Sequence, residues 1–148
     1  MTHLVVTCSD RRITPAVMGR VLADKKIHGE FFYYAVPGGP SRLVPRERFV
    51  DNYSFVHVTL EDISLMIAGG ADHILLVAHS GICRWAVVNG VYDEPAAEKV
   101  IQLEQLEKAK KVCIGNFGRK VKDVDTFFIP PDWFSESLPL SYGLSASI

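Results

Sequence analysis

Cys8, Asp10 and Arg12 stand at alternate positions in Cys8-Ser9-Asp10-Arg11-Arg12-Ile13-Thr14-Pro15, directly after the apolar run Leu4-Val5-Val6. A second run, Ile74-Leu75-Leu76-Val77-Ala78, delivers His79 and, four residues on, Cys83. Thiolate and imidazole are ligands that suit zinc, and a catalytic zinc takes three protein ligands and leaves a fourth position for water. If the two strands lie side by side, Cys8, His79 and Cys83 can converge on one ion. The ion would lower the pKa of bound water to about 7 and so provide a hydroxide nucleophile at neutral pH. Asp10 could accept a hydrogen bond from that water or ligate the metal itself. Arg12 is placed to hold the Asp10 carboxylate by a two-pronged ion pair. The plainer reading of each residue is structural, because free cysteine often only packs and a strand-end histidine often only hydrogen-bonds. Cys113, inside a helical pattern, reads as packing.

The elements that must position these groups follow from periodicity. Leu4 to Thr7 reads as a strand. Pro15 opens a helix with Thr14 as its N-cap, and Val17, Met18, Val21 and Leu22 face the sheet. Lys25, Lys26 and His28 suit the end of that helix and Gly29 its stop. Glu30 to Val36, rich in aromatic and β-branched residues, reads as the second strand. Pro37-Gly38-Gly39-Pro40 ends it. Gly38 and Gly39 let backbone come close to another group, either a ligand, in which case they line the substrate pocket, or another segment. Ser41 to Tyr53, with Arg42, Arg46 and Arg48, fits a lid, a dimer contact or plain surface.

Thr59 reads as the N-cap of a helix running to about Ala68, with Glu61 and Asp62 in its first turn and Ile63, Met66 and Ile67 buried. Gly69-Gly70 leads into a third strand, His73 to Ala78. A short helix or turn from Arg84 to Asn89 stops at Gly90. One amphipathic helix from about Pro95 to Phe117 has its apolar residues at Val100, Leu103, Leu106, Ala109 and Cys113. Lys108, Lys110 and Lys111 form its solvated face. A last strand, Val124 to Ile129, meets Pro130-Pro131. The Ser-rich tail from Asp132 onward is expected to be loose or to pack on a neighbour, with Trp133, Phe134 and Leu138 as anchors. Strands alternating with helices, each strand a continuous apolar run, predict one α/β domain over residues 1–148 with a mainly parallel sheet covered on both faces.

With 148 residues, 48% hydrophobic and 22% charged, the chain is long enough for one sizeable core without disulfides. A formal net charge of -1 gives no field favouring nucleic acid or an anionic membrane. No apolar run approaches the roughly 20 residues of a membrane span. Three cysteines, and a strand so close to residue 1 that a signal peptide has no place, predict a cytoplasmic protein without a disulfide framework.

Over roughly its first 85 residues the sequence resembles the β-class carbonic anhydrases. Cys8-Ser9-Asp10-Arg11-Arg12-Ile13-Thr14-Pro15 looks like that family's first zinc-ligand motif with its Asp–Arg dyad. Ala35-Val36-Pro37-Gly38-Gly39 resembles the loop after its second strand, and His73 to Ser80 the segment leading to its ligand histidine. The resemblance implies a zinc enzyme interconverting carbon dioxide and bicarbonate through a zinc-bound hydroxide. Cys8, His79 and Cys83 would be the ligands and Asp10 and Arg12 the catalytic dyad. It also implies a four-stranded parallel core with an added C-terminal edge strand, and a homodimer or larger homo-oligomer. Cys83 falls four residues after His79 where the family pattern has three, and Arg84 stands where the family usually has glycine.

His28, His57 and His73 are candidate proton relays. If Asp10 swings onto the metal the enzyme is off, so protonating Asp10 or breaking its pairing with Arg12 is expected to lower activity in acid. Other readings remain open: a relative acting on carbon disulfide or carbonyl sulfide, a non-catalytic binding or scaffold module, or an anion- or nucleotide-binding domain using Pro37-Gly38-Gly39-Pro40. The last has neither a dinucleotide fingerprint nor a phosphate-loop lysine motif behind it.

Overall fold

Leu4 and Val6 point to one face of the first strand and Val5 to the other, and all three are buried. A strand with both faces covered has to lie inside a layered α/β sheet. The computed structural model describes residues 1–45, 52–91 and 98–134 and has this architecture. Strands β1 (His3–Cys8), β2 (Phe32–Val36), β3 (His73–His79) and β4 (Asp123–Ile129) form one all-parallel sheet in the order β2-β1-β3-β4.

Helix α1 (Pro15–Asp24) covers one face, where Val17, Met18 and Val21 pack on Val5, Leu75 and Val77. Helices α2 (Asn52–Ala68) and α4 (Glu98–Phe117) cover the other. There Ile63, Ala109, Cys113 and Phe117 pack on Leu4, Val6, Ile74 and Leu76. Each fully buried valine, leucine or isoleucine contributes roughly 1.5–3 kcal/mol, so the sheet core holds the strand ends in place. Short helix α3 (Arg84–Val88) stands at the end of β3, and a 3-10 helix over Gly39–Leu43 follows β2. Among the described residues no helix is long and apolar enough to cross a membrane.

Thr14 caps α1 as its position predicts, its hydroxyl accepting from the Val17 N–H. The helix ends earlier than expected. Lys26 takes a left-handed φ of 56°, and the Ile27 N–H closes back on the Leu22 carbonyl, because burying Ile27 against the core favours that turn. Gly29 turns the loop that follows instead.

Helix α2 begins at Asn52, so Thr59 is mid-helix and not an N-cap. Its hydroxyl bonds the Phe55 carbonyl one turn back. The buried stripe of α4 is Glu98, Gln102, Leu106, Ala109, Cys113 and Phe117, while Val100 and Leu103, expected inside, are exposed. The sheet core below fixes the helix phase through Ala109, Cys113 and Phe117, and that phase carries Gln102 inward.

Trp133 and Phe134 pack on this chain, Trp133 against Phe127 and Arg20 and Phe134 against His79 and Arg12. An added C-terminal edge strand, Leu138, Arg46, Arg48 and the expected helix start near Pro95 lie outside the described residues.

Candidate metal centre

β1 is followed in the chain by a neighbour on one side (β2) and later by a neighbour on the other (β3). A crevice therefore opens beyond the carboxyl ends of β1 and β3, the place where α/β sheets gather their ligands. Cys8 is the last residue of β1 and His79 the last of β3, and Thr7 pairs with Val77 in the ladder between them. Gly81 then turns the chain at a φ of 83°, which returns Cys83 toward the crevice as the residue preceding α3. One left-handed glycine thus carries the turn between His79 and Cys83. The Arg12 guanidinium packs over Gly81, where an added Cβ would displace it. Arg84 is the first residue of α3, exposed, and does not crowd the turn.

The Sγ atoms of Cys8 and Cys83 are 3.9 Å apart, and with one ring nitrogen of His79 all three ligand atoms lie within 4.8 Å of one another. Two thiolates at zinc–sulfur distances of about 2.3 Å in tetrahedral geometry stand roughly 3.8 Å apart. His79 is 1% exposed. Its Nδ1 is 2.8 Å from the Ser80 carbonyl, an acceptor, so Nδ1 carries the proton and Nε2 the lone pair. That Nε2 is buried and, among the described residues, reaches no hydrogen-bond partner. A fixed tautomer, an orphaned ring nitrogen and two thiols at ligand spacing fit a metal ion. Cys8, His79 and Cys83 form a buried group that could hold one.

The bond from Cys83, set against burial and aided by His79, pulls the Cys8 thiol well below its ordinary value, while the same shared proton pushes Cys83 up. Burial works against charge on His79, but the neighbouring Cys8 and the Ser80 carbonyl outweigh it and raise its pKa.

Asp10 lies beside the group, its Oδ2 3.9 Å from His79 Nε2. Arg12 grips it as the spacing predicts: Nε donates to Oδ1 at 2.9 Å, a terminal guanidinium nitrogen donates to Oδ2 at 2.8 Å, and the Arg12 backbone N–H donates to Oδ1. Burial opposes ionisation of Asp10, yet these bonds hold its carboxyl down to about 2. Its protonation therefore falls far below the neutral range.

The two glycines of the β2 loop divide their work. Gly39 presses on the Cys8 backbone, where a Cβ would come within 2.6 Å of the Cys8 nitrogen. Gly38 lies under the Trp85 ring and lines a narrow cavity with Cys8, Ala78, His79 and Cys83. Gly38 is thus a pocket residue and Gly39 a packing residue. Ile13, Trp85, Val91 and Ile101 give the sulfur atoms an apolar surround.

Among the expected relays, His73 opens the seven-residue β3 that His79 ends, roughly 20 Å away at strand spacing. It is bonded to Asp72. His28 precedes β2, whose first residue Phe32 pairs with Leu4, and so belongs to the same far edge. His57 pairs with Glu61 on α2. The sequence reading missed Gln102 and Gln105, which α4 brings to the cavity wall. The signal was there: stepping back from Cys113 and Ala109 at helical spacing reaches Leu106 and then Gln102.

Comparison with protein-family models, with curated proteins and with solved structures found no match.

Proposed function

We propose that this chain is a zinc-dependent lyase of the carbonic anhydrase type, interconverting carbon dioxide and bicarbonate. The observation that carries the reading is the convergence of Cys8, His79 and Cys83 beside an Arg-clamped carboxylate at the sheet's crevice. Zinc held there supplies a Lewis acid that makes water nucleophilic at neutral pH.

The chain's own residues supply the rest. Asp10 stays ionised and presents a fixed acceptor to the reacting water. Arg12 sets the direction of that acceptor and, through the Ile82 carbonyl at 2.7 Å, ties the loop after β1 to the loop after β3. The apolar wall of Ile13, Trp85 and Ile101 suits an uncharged, linear substrate and keeps bulk water from the sulfur atoms. The cavity beside these groups is narrow, which favours a small substrate over a bulky one. None of the three cysteines is in a disulfide, which suits a reducing cytoplasm. Exposed Val87 and Val88 on α3 and Val100 and Leu103 on α4 suit burial in a homodimer.

Stopped-flow hydration of carbon dioxide by the zinc-loaded protein tests the reading. The wild-type chain should accelerate the reaction, and Asp10→Asn should lower the rate by about 100-fold, the lower range for losing a positioned proton acceptor. Turnover of carbonyl sulfide or carbon disulfide without carbon dioxide would move the activity to those substrates. A folded zinc-loaded chain inert toward all three would make it a binding module.

A further inference from the structure

Gln102 occupies a place in the buried stripe of α4 that an apolar residue would fill more favourably. It is 6% exposed, and among the described residues its Nε2 donor reaches no hydrogen-bond partner. Gln105, one turn further on, has a buried Oε1 acceptor that is likewise unpartnered. Both side chains line the cavity formed by Cys8, Ala78, His79 and Cys83. Two amides with unmet hydrogen-bonding capacity, facing one narrow cavity beside a metal-ligand group, are costly to fold unless something in the cavity meets that capacity.

We propose that Gln102 and Gln105 form a donor–acceptor pair that recognises a small protonated oxyanion, with bicarbonate as the fitting species. Gln102 donates an N–H to an unprotonated oxygen of the ion. Gln105 accepts from its hydroxyl. Bicarbonate offers both groups, whereas nitrate, of the same planar shape and charge, has no hydroxyl to give. The pair therefore sets specificity as well as affinity, because a site built around a hydroxyl rejects an analogue that lacks one. The carbon dioxide face of the same pocket needs only the Gln102 donor. The inference rests on the hydration reading of this centre.

Cobalt(II)-loaded protein, titrated with bicarbonate and separately with nitrate and followed through its visible spectrum, tests this with a readout other than turnover. Gln102→Met should weaken both ions about tenfold, the loss expected for one hydrogen bond to a charged group. Gln105→Met should weaken bicarbonate by a similar factor and leave nitrate unchanged. Each variant should keep its cobalt and unfold at a temperature equal to or above that of the wild type, since an unmet buried polar group has been removed. Variants that bind both ions within twofold of the wild type overturn the proposal, as do variants that lose cobalt along with the anions. A wild-type chain that takes up no metal overturns the hydration reading and this inference together. Metal uptake with unaltered anion binding in the variants overturns the inference alone.

Discussion

Arg12 donates from one terminal guanidinium nitrogen both to the carboxylate of Asp10 and to the carbonyl of Ile82, 70 residues along the chain. One side chain thereby sets the position of the acid beside the metal group and the path of the loop that delivers Cys83. The link is side chain to backbone on one arm and charge-assisted on the other, so it constrains both loops at once.

Removing it should separate the two functions only slightly. Arg12→Leu should lower zinc affinity about 10- to 100-fold in a chelator competition, the usual size of a lost supporting contact at a metal centre. Urea unfolding should show a loss of about 1–3 kcal/mol, because half-buried Asp10 then keeps only the backbone N–H of residue 12 as a donor. Arg12→Lys should recover only part, since an ammonium cannot fork across two carboxylate oxygens. Unchanged zinc affinity in Arg12→Leu would contradict the role given to this tie.

The backbone approach of Gly39 to Cys8 makes a sharper stability prediction. Gly39→Ala would place a methyl 2.6 Å from the Cys8 nitrogen at a φ of 49°, so it should destabilise the fold by about 1–3 kcal/mol and displace Cys8. Gly19→Ala is the control: it lies within α1 with nothing near the added carbon, and should stabilise by about 0.5–1 kcal/mol. Equal denaturation midpoints for the two variants would refute the packing described.

How much of this was legible in the sequence differs from element to element. All four strands were visible because each is a short apolar run bounded by turn residues, and both faces of β1 and β3 are covered. Cys8 and His79 were legible for the same reason, as the residues at which two such runs end. Helix phase was less legible. Val100 and Leu103 share a spacing with Leu106 that looks like a core stripe, yet the sheet packs against Ala109, Cys113 and Phe117, and that choice turns Gln102 inward instead. The start of α2 was missed because Thr59 with Glu61 and Asp62 has the composition of an N-cap, while its hydroxyl is satisfied inside the helix by the Phe55 carbonyl. The path from His79 to Cys83 depended on the sign of one backbone angle at Gly81, which residue types permit but do not specify.

Alkaline stability should depend on Tyr34. Its hydroxyl donates to Asp62 at 2.6 Å, and burial together with that carboxylate pushes the phenol up to about 12. A group raised on folding contributes stability that is complete below the unfolded value near 10 and is lost as pH rises through about 12. Wild-type stability should therefore fall more steeply than that of Tyr34→Phe between those limits, in unfolding curves followed by circular dichroism. Parallel curves would remove Tyr34 as the cause.

Metal removal should uncover the cysteines in a fixed order. Burial pushes Cys113 up to about 12, and its side chain is fully enclosed, so it should resist iodoacetamide in every native state. Cys8, whose thiol is held low by its bond from Cys83, should be alkylated before Cys113 once a chelator has stripped the centre. Peptide mapping by mass spectrometry reads the order, and alkylation of Cys113 ahead of Cys8 would contradict it.

X-ray absorption at the zinc edge of the purified, zinc-loaded chain reads the inner coordination sphere itself. Two sulfur scatterers at about 2.3 Å, together with nitrogen or oxygen at about 2.0 Å, are the result expected for Cys8, Cys83 and His79. One sulfur or none, or a chain that takes up no zinc, would show that these three side chains do not share an ion.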